Sequence, residues 1–310
     1  MPRPASAVAP SGQQFAIGHG QDSIVVTEIG ATLRSYTVDG RPVVDGFEAD
    51  ERCSSGRGQV LAPWPNRLGD GRYRFGERAA RAAWDEPEHQ NAIHGLVRWL
   101  PWQARARAQN VLTMGVVLHP QPGYPWRIDL ELEYRLGRGG LSIRATATNL
   151  DDEPAPFGIG FHPYVTVGTP VIDTARLHLP ARQMLRSDER GLPTGVESVT
   201  GTEYDFSTTR PIGPTRLDTA FTALERDAEG IARVVLRHPD EDRTVTVWMD
   251  RAFTTVMAYT GDTMAQGERR RRSIAVEPMS CPPDALRSGT DLVTLAPGAA
   301  WHGHWGISPA

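Results

Sequence analysis

Five side chains stand where burial would be costly without a partner or a cleft. They are Arg67 in APWPNRLGDGRY, His94 in NAIHGLVRW, His162 in PFGIGFHPYV, Asp218 in RLDTAF and Glu277 in SIAVEPM. Each is a charged or imidazole group beside glycine or within an apolar, strand-like run, and burying such a group unpaired costs several kcal/mol. On a strand, Ser273, Ala275 and Glu277 share one face while Ile274 and Val276 share the other, so the carboxylate stands over small side chains with room above it. A carboxylate on a solvated sheet face fits the same pattern. Ahead of His162, Phe157, Ile159 and Phe161 alternate with Gly158 and Gly160, which reads as one strand with an open face that the imidazole enters. Glycines on the face of a polar residue mark close approach by backbone or ligand. His162 is then a packed core histidine, a metal ligand or an acid facing a substrate.

Two further groups could do chemistry. His302 and His304 in WHGHWGI fall on one strand face at a spacing that can hold a metal, but no third ligand is evident, so no metal is assigned. Arg269, Arg270, Arg271 and Arg272 in ERRRRS could grip a phosphate, although a run of like charges between strands is usually a solvated loop.

The elements that must position these groups are strands. Period-2 runs such as SIVVTEIG, NVLTMGVVL, ARVVLRH, RTVTVWMD and TTVMAYTG recur along the chain, rich in β-branched and aromatic residues. WRIDLELEYRLGRGGLSIRATATNL reads as a long hairpin, GDGRYRFGER as a small strand leaving a loop, and PPDALRSG from Pro282 as the best helical candidate, about one turn. The 31 Gly and 25 Pro are spread along the chain as turns require, without a linker or repeat. The fold class is all-β, a large antiparallel β-sandwich: a loose N-terminal tail over residues 1–12, then one domain over residues 13–310.

Composition narrows the chemistry. All 33 basic residues are arginine, which excludes Schiff-base, pyridoxal and Walker-type phosphate-loop chemistry, since each needs a lysine amine. A net charge of -4 argues against a nucleic-acid binder. Cys53 and Cys281 are too few for a disulfide framework and read as free thiols. With no signal-like or 18-residue apolar run, the reading is a cytoplasmic protein without membrane contact.

PWPNRLGDGRYRF, IHGLVRWLPW, GFHPY, YTGD, VEPMSCPPDA and the closing LAPGAAWHGHWGI, in that order from about residue 12 onward, resemble the aldose 1-epimerase (galactose mutarotase) family. The resemblance implies one large β-sandwich that interconverts the α and β anomers of aldoses without a cofactor. It places sugar-hydroxyl binding on Asn66, Arg67, His94 (with Gly95) and Asp218, the general acid on His162 and the general base on Glu277. Pro163 after His162, the HGLVRW context of His94 and PMSCPPDA after Glu277 depart from the best-known galactose mutarotases and look like a bacterial subgroup.

Opening a pyranose needs a base for the proton of the C1 hydroxyl and an acid for the ring oxygen. With ordinary pKa values of about 4.3 and about 6.5, a glutamate and a histidine suit these tasks. The implied partner is a free aldose such as galactose or glucose, with the protein a monomer or homodimer. The alternatives are a hexose-6-phosphate 1-epimerase, its phosphate taken by ERRRR or another arginine group, and a carbohydrate-binding protein without turnover.

Overall fold

The longest hairpin shows how the sequence builds the sandwich. Along Ile128–Gly137, Ile128, Leu130, Leu132, Tyr134 and Leu136 are buried, while Asp129, Glu131, Glu133 and Arg135 face outward. The partner strand Gly140–Asn149 repeats the alternation with Leu141, Ile143, Ala145 and Ala147 inward. Side chains of period 2 therefore give one apolar and one solvated face.

The computed structural model describes residues 8–264 and 269–310. This hairpin lies inside an antiparallel sheet of nine strands, and a second antiparallel sheet has eight. Their inner faces share one apolar core: Phe161 of the second sheet meets Trp305 of the first with ring centroids 4.9 Å apart. The protein is an all-β antiparallel sandwich, as its periodicity predicts. PPDALRSG contributes the single turn Ala285–Ser288, and GDGRYRFGER the strand Arg72–Phe75, paired with Arg78–Arg81. No helix among the described residues is long and apolar enough to cross a membrane. Residues 1–7 of the stretch read as a tail, and Glu268 of ERRRRS, lie outside the described residues. Ser11 is buried, and its carbonyl accepts the Ile29 amide.

The eight-stranded sheet positions the chemistry. In strand Ile274–Met279 every residue is buried, with Ile274 and Val276 in the inter-sheet core. Glu277 lies opposite Met257 of strand Thr255–Tyr259, and Ala220 of strand Asp218–Leu224 lies opposite Met257 in turn. Asp218, Tyr259 and Ala275 follow two residues along each strand, so all six side chains share the face turned away from the core.

The stretch before His162 departs from the expected continuous strand. Ala155–Phe157 pairs with Val293–Leu295, whereas Gly160–Phe161 pairs with Val60–Leu61 and Met279. Nor is the glycine face open. A Cβ on Gly158 would lie 2.5 Å from the Cys281 sulfur, and one on Gly160 would lie 2.8 Å from Pro65 Cβ. Pro65, Cys281 and Met279 fill the space, so these glycines allow close packing rather than ligand approach. Gly160→Ala should cost about 1–3 kcal/mol by overpacking, measured as a lower urea midpoint with an unchanged m-value.

Candidate active site

Register brings the two principal residues together. Gly160 lies opposite Met279 and Tyr164 opposite Ala275 on neighbouring antiparallel strands. The same register, continued between those rungs, sets His162 opposite Glu277 on the outward face. His162 Nε2 lies 3.3 Å from Glu277 Oε1, and both side chains are almost fully buried. The ladder is interrupted here because Pro163 has no amide to donate, although its carbonyl still accepts the Val276 N–H.

Arg67 and His94 arrive on a separate two-stranded ladder in which Arg67 pairs with Ile93. Asn66 ties the ends together: its side-chain oxygen accepts the Arg67 amide at 2.8 Å and its carbonyl accepts the His94 amide at 2.9 Å. From the other side the Asp284 amide donates to the Arg67 carbonyl, and the Asp284 carboxylate accepts the Gly69 amide. The PPDA stretch after Glu277 thus holds the Arg67 strand in place. Arg67 forms a two-point pair with Glu86, at 2.9 Å and 3.0 Å, leaving Nη1 3.8 Å from Asp218.

Asn66, Arg67, His94, His162, Asp218 and Glu277 all line one cleft of about 770 Å³. Asp218 stands half exposed, with His94, His162 and Glu277 buried. The His94 ring is edge-on to His162 with centroids 5.4 Å apart, and the Tyr164 ring stacks on His162 at 5.0 Å. Sequence reasoning missed Glu86, Gln59, Trp99, Tyr164 and Tyr259 of this lining. Tyr164, Trp99 and Tyr259 had local signals, within GFHPY, IHGLVRWLPW and YTGD; Glu86 and Gln59 come from segments whose approach no spacing encodes.

Burial overturns the expected ordinary ionisation. Desolvation pushes Glu277 well above the usual carboxylate range, with Asp218 adding to the rise and Arg67 opposing it. His162 falls to about 3, first through desolvation and then through Arg57 and Arg98. His94 is also held well below the usual imidazole range, by burial first and then by His162 and two arginines. At 3.3 Å the two side chains are in direct contact, and the removal of water disfavours the charged form of each.

Three polar atoms of this group have no hydrogen-bond partner among the described residues: His162 Nδ1, His94 Nδ1 and Glu277 Oε2. Gln59 Oε1, on the same cleft, is a fourth. Buried polar atoms are nearly always bonded, so this concentration singles out the cleft as a candidate site for a polar ligand.

The other sequence candidates lie elsewhere. His302 contacts Thr146 Oγ1 at 3.2 Å, and His304 packs against Trp248. Arg269 bonds the Gly46 carbonyl and Glu51, Arg271 pairs with Asp173 and Asp262, and Arg272 lies 3.8 Å from Asp45. Three guanidiniums of the run are therefore engaged by the protein's own acceptors. Cys53 and Cys281 are buried free thiols.

The sequence model of the aldose 1-epimerase family matches residues 13–308. The uncharacterized protein YihR of Escherichia coli K12 is 32% identical over 289 residues, covering 93% of this chain and 90% of that one. A GalM/aldose epimerase homologue from C. elegans superposes with a TM-score of 0.85 at 17% identity, covering 96% of this chain and 98% of that one. Galactose 1-epimerase from Lactobacillus acidophilus gives 0.80 at 18%, covering 96% and 94%. At such identities the solved structures speak for the fold, while the family match spans almost the whole sequence. This chain belongs to the aldose 1-epimerase family.

Proposed function

We propose that the protein is a mutarotase that interconverts the α and β anomers of free aldohexoses such as galactose or glucose, with Glu277 as base and His162 as acid. The observation that carries this reading is the 3.3 Å approach of Glu277 and His162 on the floor of a cleft rich in unpartnered polar atoms. The C1 hydroxyl oxygen and the ring oxygen are bonded to one carbon, so the groups that serve them must also be near neighbours. A binding protein has no need of such a pair.

In this reading the pair carries one proton, held on Glu277 until the sugar's hydroxyls bond the two groups and stabilise the charged arrangement, Glu277 carboxylate and His162 imidazolium. Glu277 takes the proton of the C1 hydroxyl while His162 protonates the ring oxygen, and the ring opens. Rotation about C1–C2 presents the other face of the aldehyde. Closure reverses both transfers and returns the site to its starting state. Arg67, His94, Asn66 and Asp218 hold the remaining hydroxyls so that the reacting atoms start within range. Every step is a proton transfer between these side chains and the sugar, so the reading needs no cofactor.

One observation favours a second reading, an aldose that carries a phosphate. Arg52 and Arg98 stand at the same cleft, 4.9 Å and 5.5 Å from the Trp99 ring, and Arg52 makes no ion pair among the described residues. Polarimetry on fresh anomers of glucose, galactose and glucose 6-phosphate separates the readings, because only the second requires the phosphorylated sugar to have the higher kcat/KM.

Glu277→Gln and His162→Asn should each lower catalysed mutarotation by roughly 10²- to 10⁴-fold, with a folded protein shown by circular dichroism. A wild-type rate in either variant removes that residue from its role. Because kcat/KM reports the free enzyme, whose His162 gains a second proton for the pair only toward pH 3, activity should stay level as pH falls from about 6.5 to about 4.5. An inflection at the ordinary imidazole pKa in rates corrected for the uncatalysed reaction would show that His162 titrates as a solvated group.

A further inference from the structure

Arg57 is a buried cation that the proton transfers above do not use. Only 2% of its surface is exposed, and its Nε has no hydrogen-bond partner among the described residues. Its Nη1 bonds the Ser54 carbonyl and hydroxyl at 3.2 Å, and Nη2 meets the Met264 sulfur at 3.5 Å. Among the described residues the nearest carboxylate, Asp45, is 4.0 Å away and is shared with the Ser273 hydroxyl and with Arg272. A guanidinium so placed is costly unless its charge or shape serves another group.

Arg57 is directed at the acid. Its guanidinium carbon lies 4.9 Å from the Tyr164 ring centroid, and that ring is nearly parallel to the His162 imidazole, 17° between planes at 5.0 Å. The Tyr164 hydroxyl donates to the Ser55 carbonyl at 2.9 Å, so the ring is fixed at its far end as well. Between Ser55 and Arg57, Gly56 adopts φ +72°, and a Cβ there would stand 2.7 Å from the imidazole. One loop thus delivers the anchor of the tyrosine, the wall beside the histidine and the cation.

We propose that Arg57 and Tyr164 are positioning residues for His162: the Tyr164 ring fixes the plane of the imidazole, and the Arg57 charge keeps a proton from resting there. This rests on His162 being the acid of ring opening. An imidazole that held a proton tightly would be slow to pass it to an ether oxygen, and one free to rotate would lose its aim. Other groups facing His162 are Glu277, which favours the imidazolium only as a carboxylate, and His94 and Arg98, with Arg67 beyond Glu277. Cys53 in the same loop is kept neutral by burial, its thiol pushed up to about 12. Arg57 and Arg98 are the cations that lower His162. Arg98 is engaged by Asp85.

The test begins without sugar, so it stands apart from the epimerase reading. In protein carrying 15N-labelled histidine, wild-type His162 should remain neutral down to about pH 4.5, and Arg57→Met should raise its titration by about one unit or more. Arg57→Lys, which keeps the charge but cannot lie flat on a ring, should return the titration toward wild type. In polarimetry, Tyr164→Leu should lower kcat by about tenfold or more with KM changed by less than about threefold, the split expected when orientation rather than binding is lost. A merely structural role would lower thermal stability alone. A folded Arg57→Met with wild-type His162 titration, or a folded Tyr164→Leu with wild-type kcat, overturns the proposal. Should Arg57→Met fail to fold, Arg57→Gln replaces it under the same criterion, and Tyr164→Leu decides independently.

Discussion

The site depends on the pairing of two antiparallel strands in one register. With Gly160 against Met279 and Tyr164 against Ala275, His162 falls against Glu277, and pleating turns both side chains out of the core. A slip of one residue would send Val276 or Pro278 toward the histidine and bury the carboxylate in the sandwich. Packing enforces the register: Ile274 and Val276 belong to the core, and the glycines before His162 lie tight against Pro65, Cys281 and Met279. Stability of the sheet and alignment of His162 with Glu277 are therefore the same property.

The eight-stranded sheet performs two tasks with its two faces. Its inner face carries Phe221, Val256, Ala258, Ile274 and Val276, which join the apolar core. Its outer face is also covered, by Ala220, Met257 and Met279 in a small second cluster and by the loops that bring Arg67, His94 and Trp99. Covering both faces removes water from Glu277 and His162, and that sets their electrostatics. Desolvation raises the carboxylate and lowers the imidazole, so burial works against the charged form of both, where two exposed groups would ionise readily.

Arg67 illustrates how the surroundings are held. Its guanidinium is pinned by Glu86, which is itself bonded by Asn91, and its backbone is gripped by Asp284 on one side and Ile93 on the other. These supports come from two separate stretches of chain, residues 86–93 and the segment of Asp284. The side chain keeps a fixed fork, which suits recognition of hydroxyls in set positions.

Strand content, the long hairpin and the one-turn helix were legible in the sequence because side-chain alternation and turn residues are local signals. So were the six site residues, once several motifs in order pointed to the family, and all six line the cleft. The open strand expected before His162 was not there: alternation reports which side chains are large, not what fills the space beside the small ones. Glu86, Gln59 and the Arg57–Tyr164 contact carried no readable pattern, since their partners lie on other strands and loops. By itself the sequence determined which groups could donate and accept protons and that strands would carry them. Only the tertiary structure decided that Glu277 and His162 meet at 3.3 Å and that burial disfavours the charged form of both. Cross-strand register and desolvation belong to the packed sheet as a whole, and no single segment contains them.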